Sequence, residues 1–259
     1  MPSVLVQEGR YIHYEVEGNG PPLLLLHPAG VASTIWRDIG YVDLLRDSHR
    51  LILVDSLGYG LSSKPHVVES YAWEKQVADL VAVLEAADAP QPDVFGYSMG
   101  GVLAIVLAIM SPESLSRLVV AGAPPPGMQP APSKNYVRRV PLDQGTNAYA
   151  MAAIQRWRSV GIELSEPSKR DLLTADLKAV VARREALGKS DMREHLSKIR
   201  VPTMLMAGSE DPFAEAVRTA SELIPDCVYV SLKHRSHIGA IADKDTIVKE
   251  LERFLAPIL

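Results

Sequence analysis

The segment Phe95-Gly96-Tyr97-Ser98-Met99-Gly100-Gly101 sets a serine between a short apolar run, residues 93–95, and a longer one, residues 102–110. Such a sequence reads as a strand, a sharp turn and a buried helix, with Ser98 at the turn. A serine in that place sits on a strained backbone, its hydroxyl clear of the sheet and close to the positive end of the helix that follows. Gly96 and Gly100 flank it because a side chain at either position would collide where strand and helix pack closely. The feature confines the chain to folds in which a parallel strand feeds directly into a helix.

Two further residues give the serine a chemical context. Asp211 ends the apolar stretch Met204-Leu205-Met206-Ala207-Gly208-Ser209-Glu210-Asp211, and His237 lies in Lys233-His234-Arg235-Ser236-His237-Ile238, after the β-rich run Val228-Tyr229-Val230. Each of the three follows a predicted strand, so all are expected at one edge of one sheet. A serine hydroxyl is a weak nucleophile until a base takes its proton, and the base needs a carboxylate to fix its tautomer and stabilise its cation. Ser98, His237 and Asp211 supply those three groups.

The G-x-S-x-G turn and the chain order Ser98, Asp211, His237 resemble those of the α/β-hydrolase-fold serine hydrolases. The resemblance runs over nearly the whole chain. Leu23-Leu24-Leu25-Leu26-His27-Pro28-Ala29-Gly30 is similar to the family's His-Gly segment after the third strand, and Asp55-Ser56-Leu57-Gly58-Tyr59-Gly60-Leu61-Ser62 to its D-x-x-G-x-G-x-S turn. The resemblance implies an oxyanion hole whose backbone N–H donors here are Met99 and Ala29. Pro28 stands where the family usually has glycine; lacking an N–H, it cannot donate.

A chain of 259 residues with 47% hydrophobic content suits one α/β domain with a large core. The net charge of −4 with mixed signs leaves no footprint for nucleic acid or an anionic membrane. The single cysteine, Cys227, cannot form an internal disulfide, and residues 1–8 have neither the basic start nor the apolar length of a signal peptide. No apolar run reaches the roughly 20 residues a membrane helix needs. A cytoplasmic location is expected.

Residues 4–6 and 11–16 read as an opening pair of strands. Continuous apolar runs at 23–26 and 51–54 suit strands buried on both faces of a parallel sheet. Residues 35–45 read as one helix and 73–87 as an amphipathic one, with Val77, Leu80, Val81 and Leu84 at helical spacing. Residues 118–120 form the next strand, and alternation resumes after residue 203 with strands at 203–207 and 228–231 and helices at 214–224 and 244–255. The pattern indicates a doubly wound, mostly parallel sheet flanked by helices. In between, Pro124-Pro125-Pro126-Gly127 and Pro130-Ala131-Pro132 stop regular structure, and helices are predicted at 148–160 and 167–187. The expected division is a core of residues 1–123 and 199–259 with a small helical cap, 124–198, where the family carries one over its active site.

His234, three residues before His237, is the rival base, and Glu210 the rival acid; the family's G-x-x-D spacing selects Asp211. His27 is expected to order the oxyanion loop, and Asp55 to stabilise its turn. His13, His49, His66 and His195 read as surface or satisfied polar positions. No His/Cys spacing suggests a metal, and Gly58-Tyr59-Gly60 is too short for a dinucleotide fingerprint. Trp36, Met128, Met151, Trp157 and Met192 are the residues expected to line a substrate space, each of which core packing would equally explain.

The reading implied is a cofactor-independent serine hydrolase of a small ester-like substrate. A serine rather than an aspartate at the turn argues against haloalkane dehalogenase or epoxide hydrolase chemistry. Lactonase (acyl-homoserine lactones included), carbon–carbon bond hydrolase and thioesterase activities use the same triad. A small-ligand receptor on the same scaffold is the alternative outside enzymes, and slow or single turnover would mark it. Monomer and homodimer are equally compatible with the sequence.

Overall fold

The computed structural model describes residues 2–128, 142–187 and 190–256. The Pro-Ala-Pro run at 130–132 therefore lies outside the described residues. Eight strands form one sheet in the order β1-β2-β4-β3-β5-β6-β7-β8. They are β1 (Ser3–Leu5), β2 (Tyr11–Glu17), β3 (Pro22–Leu26), β4 (Arg50–Val54), β5 (Asp93–Tyr97), β6 (Arg117–Ala121), β7 (Thr203–Gly208) and β8 (Cys227–Leu232). β2 runs antiparallel to β1 and to β4, while β4, β3, β5, β6, β7 and β8 are mutually parallel.

The apolar quartet Leu23–Leu26 shows why the centre is parallel. All four side chains are fully buried, which requires cover on both faces of the strand. Leu24 pairs with Ile52 on one side and Val94 on the other. Leu24 and Leu26 pack with α3 (Trp73–Ala86) and α4 (Met99–Met110), whereas Leu23 and Leu25 pack with α1 (Ile35–Ile39), α2 (Tyr41–Leu45) and α10 (Lys244–Leu255). The chain leaves β3 toward β4 and then crosses back over it to β5, so strand order reverses at β3 and opens a crevice at the carboxyl ends of β3 and β5. Ser98 stands at the rim of that crevice.

Residues 35–45 form two helices rather than the single one expected. Gly40 adopts φ +94° between them, a left-handed conformation that ends α1. Between β6 and β7 the described residues form α5 (Gly145–Arg158), α6 (Glu166–Leu173) and α7 (Leu177–Leu187). The single helix predicted at 167–187 is thus two, because Asp176 Oδ1 accepts the N–H groups of Lys178 and Ala179 and caps a new start. α8 (Ala214–Ser221) and the short α9 (His237–Ala242) complete the fold.

The three inserted helices pack on the sheet domain. Tyr149, Trp157 and Leu172 belong to the cluster of Leu23 and Phe95, while Ala182 joins that of Leu57 and Tyr71. Ser168 Oγ donates to Thr34 Oγ1 at 2.8 Å, and His66 Nε2 lies 2.8 Å from Asp176 Oδ2.

Candidate active site

Ser98 follows β5 directly and adopts φ +52°, ψ −116°, a positive-φ conformation that costs a non-glycine residue about 1–3 kcal/mol. Its N–H donates to Ala121 O at 2.9 Å. The turn is held from below by close packing: a Cβ on Gly100 would stand 2.1 Å from Leu26 O and 2.8 Å from His27 O. The first turn of α4 therefore lies against the end of β3, and only glycine fits there.

His237 opens α9, where the Ser236 hydroxyl accepts the N–H of Gly239 and caps the helix. The Tyr97 hydroxyl donates to His237 O at 2.5 Å. The imidazole Nε2 is 3.0 Å from Ser98 Oγ and Nδ1 is 2.7 Å from Asp211 Oδ2. Asp211 turns back on Gly208 O after β7, and its Oδ1 accepts the N–H of Phe213 at 2.9 Å. Its side chain has no exposed surface, and that of His237 keeps 14%. The phenyl edge of Phe213 covers the imidazole at a centroid distance of 5.4 Å. With both Asp211 oxygens occupied by donors, the Nδ1–H tautomer presents an acceptor nitrogen to the serine hydroxyl.

The two rivals lie elsewhere. The His234 side chain is 89% exposed and faces Glu210 at 3.9 Å. Neither side chain hydrogen-bonds to Ser98, His237 or Asp211.

His27, at the end of β3, is fully buried. Its Nδ1 donates to Pro28 O at 2.9 Å and its Nε2 accepts the N–H of Ser56 at 3.0 Å. Burial lowers its pKa to about 4, so it is neutral and serves as a two-way brace. Asp55 accepts from Ser33 N–H and Leu61 N–H, each at 2.9 Å. Together they tie the 27–33 loop to the 55–62 turn. Ala29 is exposed on that loop. Met99 is the first residue of α4, a position whose N–H has no carbonyl one turn back.

The residues expected around a substrate are placed differently. Trp36 is fully buried in the core, with ring centroids 5.1 Å from Tyr41 and 5.4 Å from Phe95. Trp157 is buried with Tyr149, Leu164 and Leu172. Met151 is 62% exposed on the outer face of α5. Met128 and Met192 are half-buried against the α3/α4 side of the core. Apolar side chains on this scaffold have more core than site to fill, and none of the five lines the cavity beside the 27–33 loop.

That cavity, about 20 Å³, is bounded by Gly30, Val31, Tyr59, Lys64, Tyr149 and Asp171 among others. Asp171 has its pKa raised to about 6, by burial first and by the charge of Asp55 second. Tyr149, Asp171, Tyr59 and Lys64 were not singled out from sequence as site residues, because single polar residues on helices and turns carry no pattern. An open groove of about 390 Å³ between His66, Val68 and α7 lies apart from the triad. No group of three or more potential metal ligands occurs among the described residues, and no helix among them is long and apolar enough to cross a membrane.

The sequence profile described as the alpha/beta hydrolase family matches residues 23–250. A 3-oxoadipate enol-lactonase of Acinetobacter baylyi is 28% identical over 203 residues, spanning 76% of this chain and 73% of the relative. A pimeloyl-[acyl-carrier protein] methyl ester esterase of Aliivibrio salmonicida is 27% identical over 267 residues, 95% of this chain and 96% of the relative. Among solved structures, an enol-lactonase from Burkholderia xenovorans superposes with TM-score 0.81 at 23% identity, covering 99% of this chain and 100% of that one. An esterase from a Rhodococcus species does so with TM-score 0.81 at 23% identity, covering 100% and 99%. These two superpositions concern the fold. With the profile spanning the sheet from β3 to α10, the chain belongs to the alpha/beta hydrolase family.

Proposed function

We propose that the protein is a serine hydrolase of small carboxylic esters or lactones, acting through Ser98, His237 and Asp211. The observation that carries the reading is the continuous array Ser98 Oγ, His237 Nε2, His237 Nδ1, Asp211 Oδ2, with spacings of 3.0 and 2.7 Å. Ser98 Oγ attacks the carbonyl carbon as its proton passes to His237 Nε2, and Asp211 stabilises the resulting imidazolium. The N–H groups of Met99 and Ala29 hold the oxyanion, a contribution of about 2.7–4 kcal/mol per donor. Collapse of the tetrahedral intermediate breaks the carbon–oxygen bond to the leaving alkoxide, which takes the proton from His237. Water, deprotonated by the same nitrogen, then releases the acid and restores Ser98.

The names of the relatives, a lactonase and a methyl ester esterase, support ester and lactone substrates. Helices α5–α7 are read as a cap: Tyr149 would stand 3.2 Å from a Cβ on Gly30, so the insertion closes over the oxyanion loop. A fluorophosphonate should label Ser98, and Ser98→Ala should lose on the order of 10⁶ in kcat toward p-nitrophenyl acetate. Labelling at another serine, or full activity of the alanine variant, would end this reading. Multiple turnovers separate an enzyme from a receptor.

A further inference from the structure

Arg183 on α7 is 2% exposed and is the second-largest fully buried side chain of the protein. Its Nη1 donates to Leu57 O at 2.6 Å, and its guanidinium lies 5.0 Å from the centroid of the Tyr59 ring. Nε and Nη2 have no hydrogen-bond partner. It makes no ion pair with a carboxylate among the described residues, and the side chains that act on it electrostatically are those of Tyr59 and Tyr71.

An arginine does not deprotonate in a protein interior. A buried cation without a counter-charge costs several kcal/mol, and one carbonyl with one aromatic face offsets only part of it. The pattern of what is missing is specific. Nε–H and the adjacent Nη2–H form the side-on edge of the guanidinium, the edge that receives both oxygens of one carboxylate in two parallel bonds. The carbonyl and the ring occupy the rest of the group and leave that edge.

Its neighbours place Arg183 close to the small cavity beside residue 29. Val180, one turn before Arg183, and Tyr59, beneath its guanidinium, both line the small cavity that begins at Gly30 and Val31, beside Ala29. The Tyr59 ring also packs edge-on against His27, at 5.3 Å. Arg183 is not itself among the residues that bound this cavity; Lys64 and Asp171 are, one cation and one carboxylate.

We propose that Arg183 receives a carboxylate of the substrate, so that the protein prefers monoesters or lactones bearing a free carboxylate remote from the scissile carbonyl. The proposal rests on the ester or lactone hydrolase reading above. Entry of such a chain requires α7 to move outward from Tyr59, since about 20 Å³ holds no more than a water.

The test compares monomethyl esters of the dicarboxylic acids from succinate to suberate with their dimethyl esters, on wild type, Arg183→Met and Arg183→Lys. Wild type should favour the monoester at one chain length. Arg183→Met should lower kcat/KM for that monoester roughly 10–100-fold and leave the dimethyl ester unchanged, with Arg183→Lys between. An equal fall for both esters would make Arg183 a packing residue and overturn the proposal, as would a wild type indifferent to the carboxylate at every length. Should Arg183→Met not fold, Arg183→Lys carries the comparison, and an unchanged ratio of monoester to dimethyl ester overturns the proposal. Calorimetric titration with adipate and with neutral adipamide needs no turnover: adipate binding lost in Arg183→Lys supports the proposal, and equal or absent binding of both overturns it. Failure of Ser98 to react with a fluorophosphonate overturns the hydrolase reading instead, and leaves that titration able to judge Arg183.

Discussion

His237 Nδ1 and Asp211 Oδ2 lie 2.7 Å apart, and Asp211 has no exposed side-chain surface while its sequence neighbour Glu210 faces solvent. One residue of chain separates a buried carboxylate from a solvated one. The turn after β7, closed by Asp211 N–H on Gly208 O, sends the two side chains opposite ways.

Asp211→Asn should therefore lower kcat by about 10⁴, because an amide partner favours the wrong histidine tautomer. Glu210→Gln should leave kcat unchanged. Steady-state hydrolysis of p-nitrophenyl acetate by both variants checks the pair, and a crippled Glu210→Gln would transfer the role of the acid.

Gly100→Ala tests the turn without touching a reacting group. The new methyl would meet Leu26 O at 2.1 Å, backbone that cannot move aside without shifting β3. A loss of stability of about 1–3 kcal/mol or more is expected, together with slow fluorophosphonate labelling of Ser98. Thermal melting and the labelling rate read the two effects, and a normal value of both would show that β3 can yield.

Trp157 and Tyr149 should separate packing from selectivity. Trp157 is buried with Leu164 and Leu172, so Trp157→Ala should cost about 3–5 kcal/mol. Tyr149 borders the cavity at Gly30, so Tyr149→Phe should change the ranking of acyl-chain lengths at nearly unchanged stability. Met151→Ala, on the exposed face of the same helix, should do neither. An unchanged ranking in Tyr149→Phe would count against the cap.

One buried group and one half-buried group give opposite slopes of stability with pH. His27 has its folded pKa lowered to about 4, below its unfolded value, so its contribution is present above roughly pH 6.5 and lost as pH falls toward 4. Asp171 has its folded pKa raised to about 6. Its ionisation in the unfolded chain draws stability down as pH rises from about 4 to 6. Asp171→Asn should therefore raise the melting temperature at pH 7.5 and leave it unchanged at pH 4. A gain of equal size at both values would show that the carboxylate is not the cause. His27→Gln, whatever its effect on the loop, should flatten the slope between pH 4 and 6.5.

Much of this molecule was legible in its sequence because the information was local and periodic. Leu23–Leu26 announces a strand covered on both faces, and Ser98 between glycines announces the turn. The G-x-x-D spacing favours Asp211 over Glu210, and the two side chains part at that turn. The break of the predicted helix at Gly40 was missed because glycine at one position does not say whether the chain will use φ > 0 there. The split before Leu177 was missed because Asp176 caps α7 only once the chain has turned.

Side-chain destination was decided by tertiary packing. Trp36 and Trp157 carry no mark in sequence of facing a core or a site, and long-range contact with Phe95 or Leu172 sends both to the core. Arg183 is the reverse case. Its neighbours one turn away, Ala179 and Ala186, are small, a trace of a close-packed face, yet an arginine among alanines in sequence reads as surface. Only the arrival of Leu57 O and the Tyr59 ring beneath α7 buries it. A charge's environment is set by residues more than a hundred positions distant, and local sequence encodes which groups a chain carries, not which of them will meet.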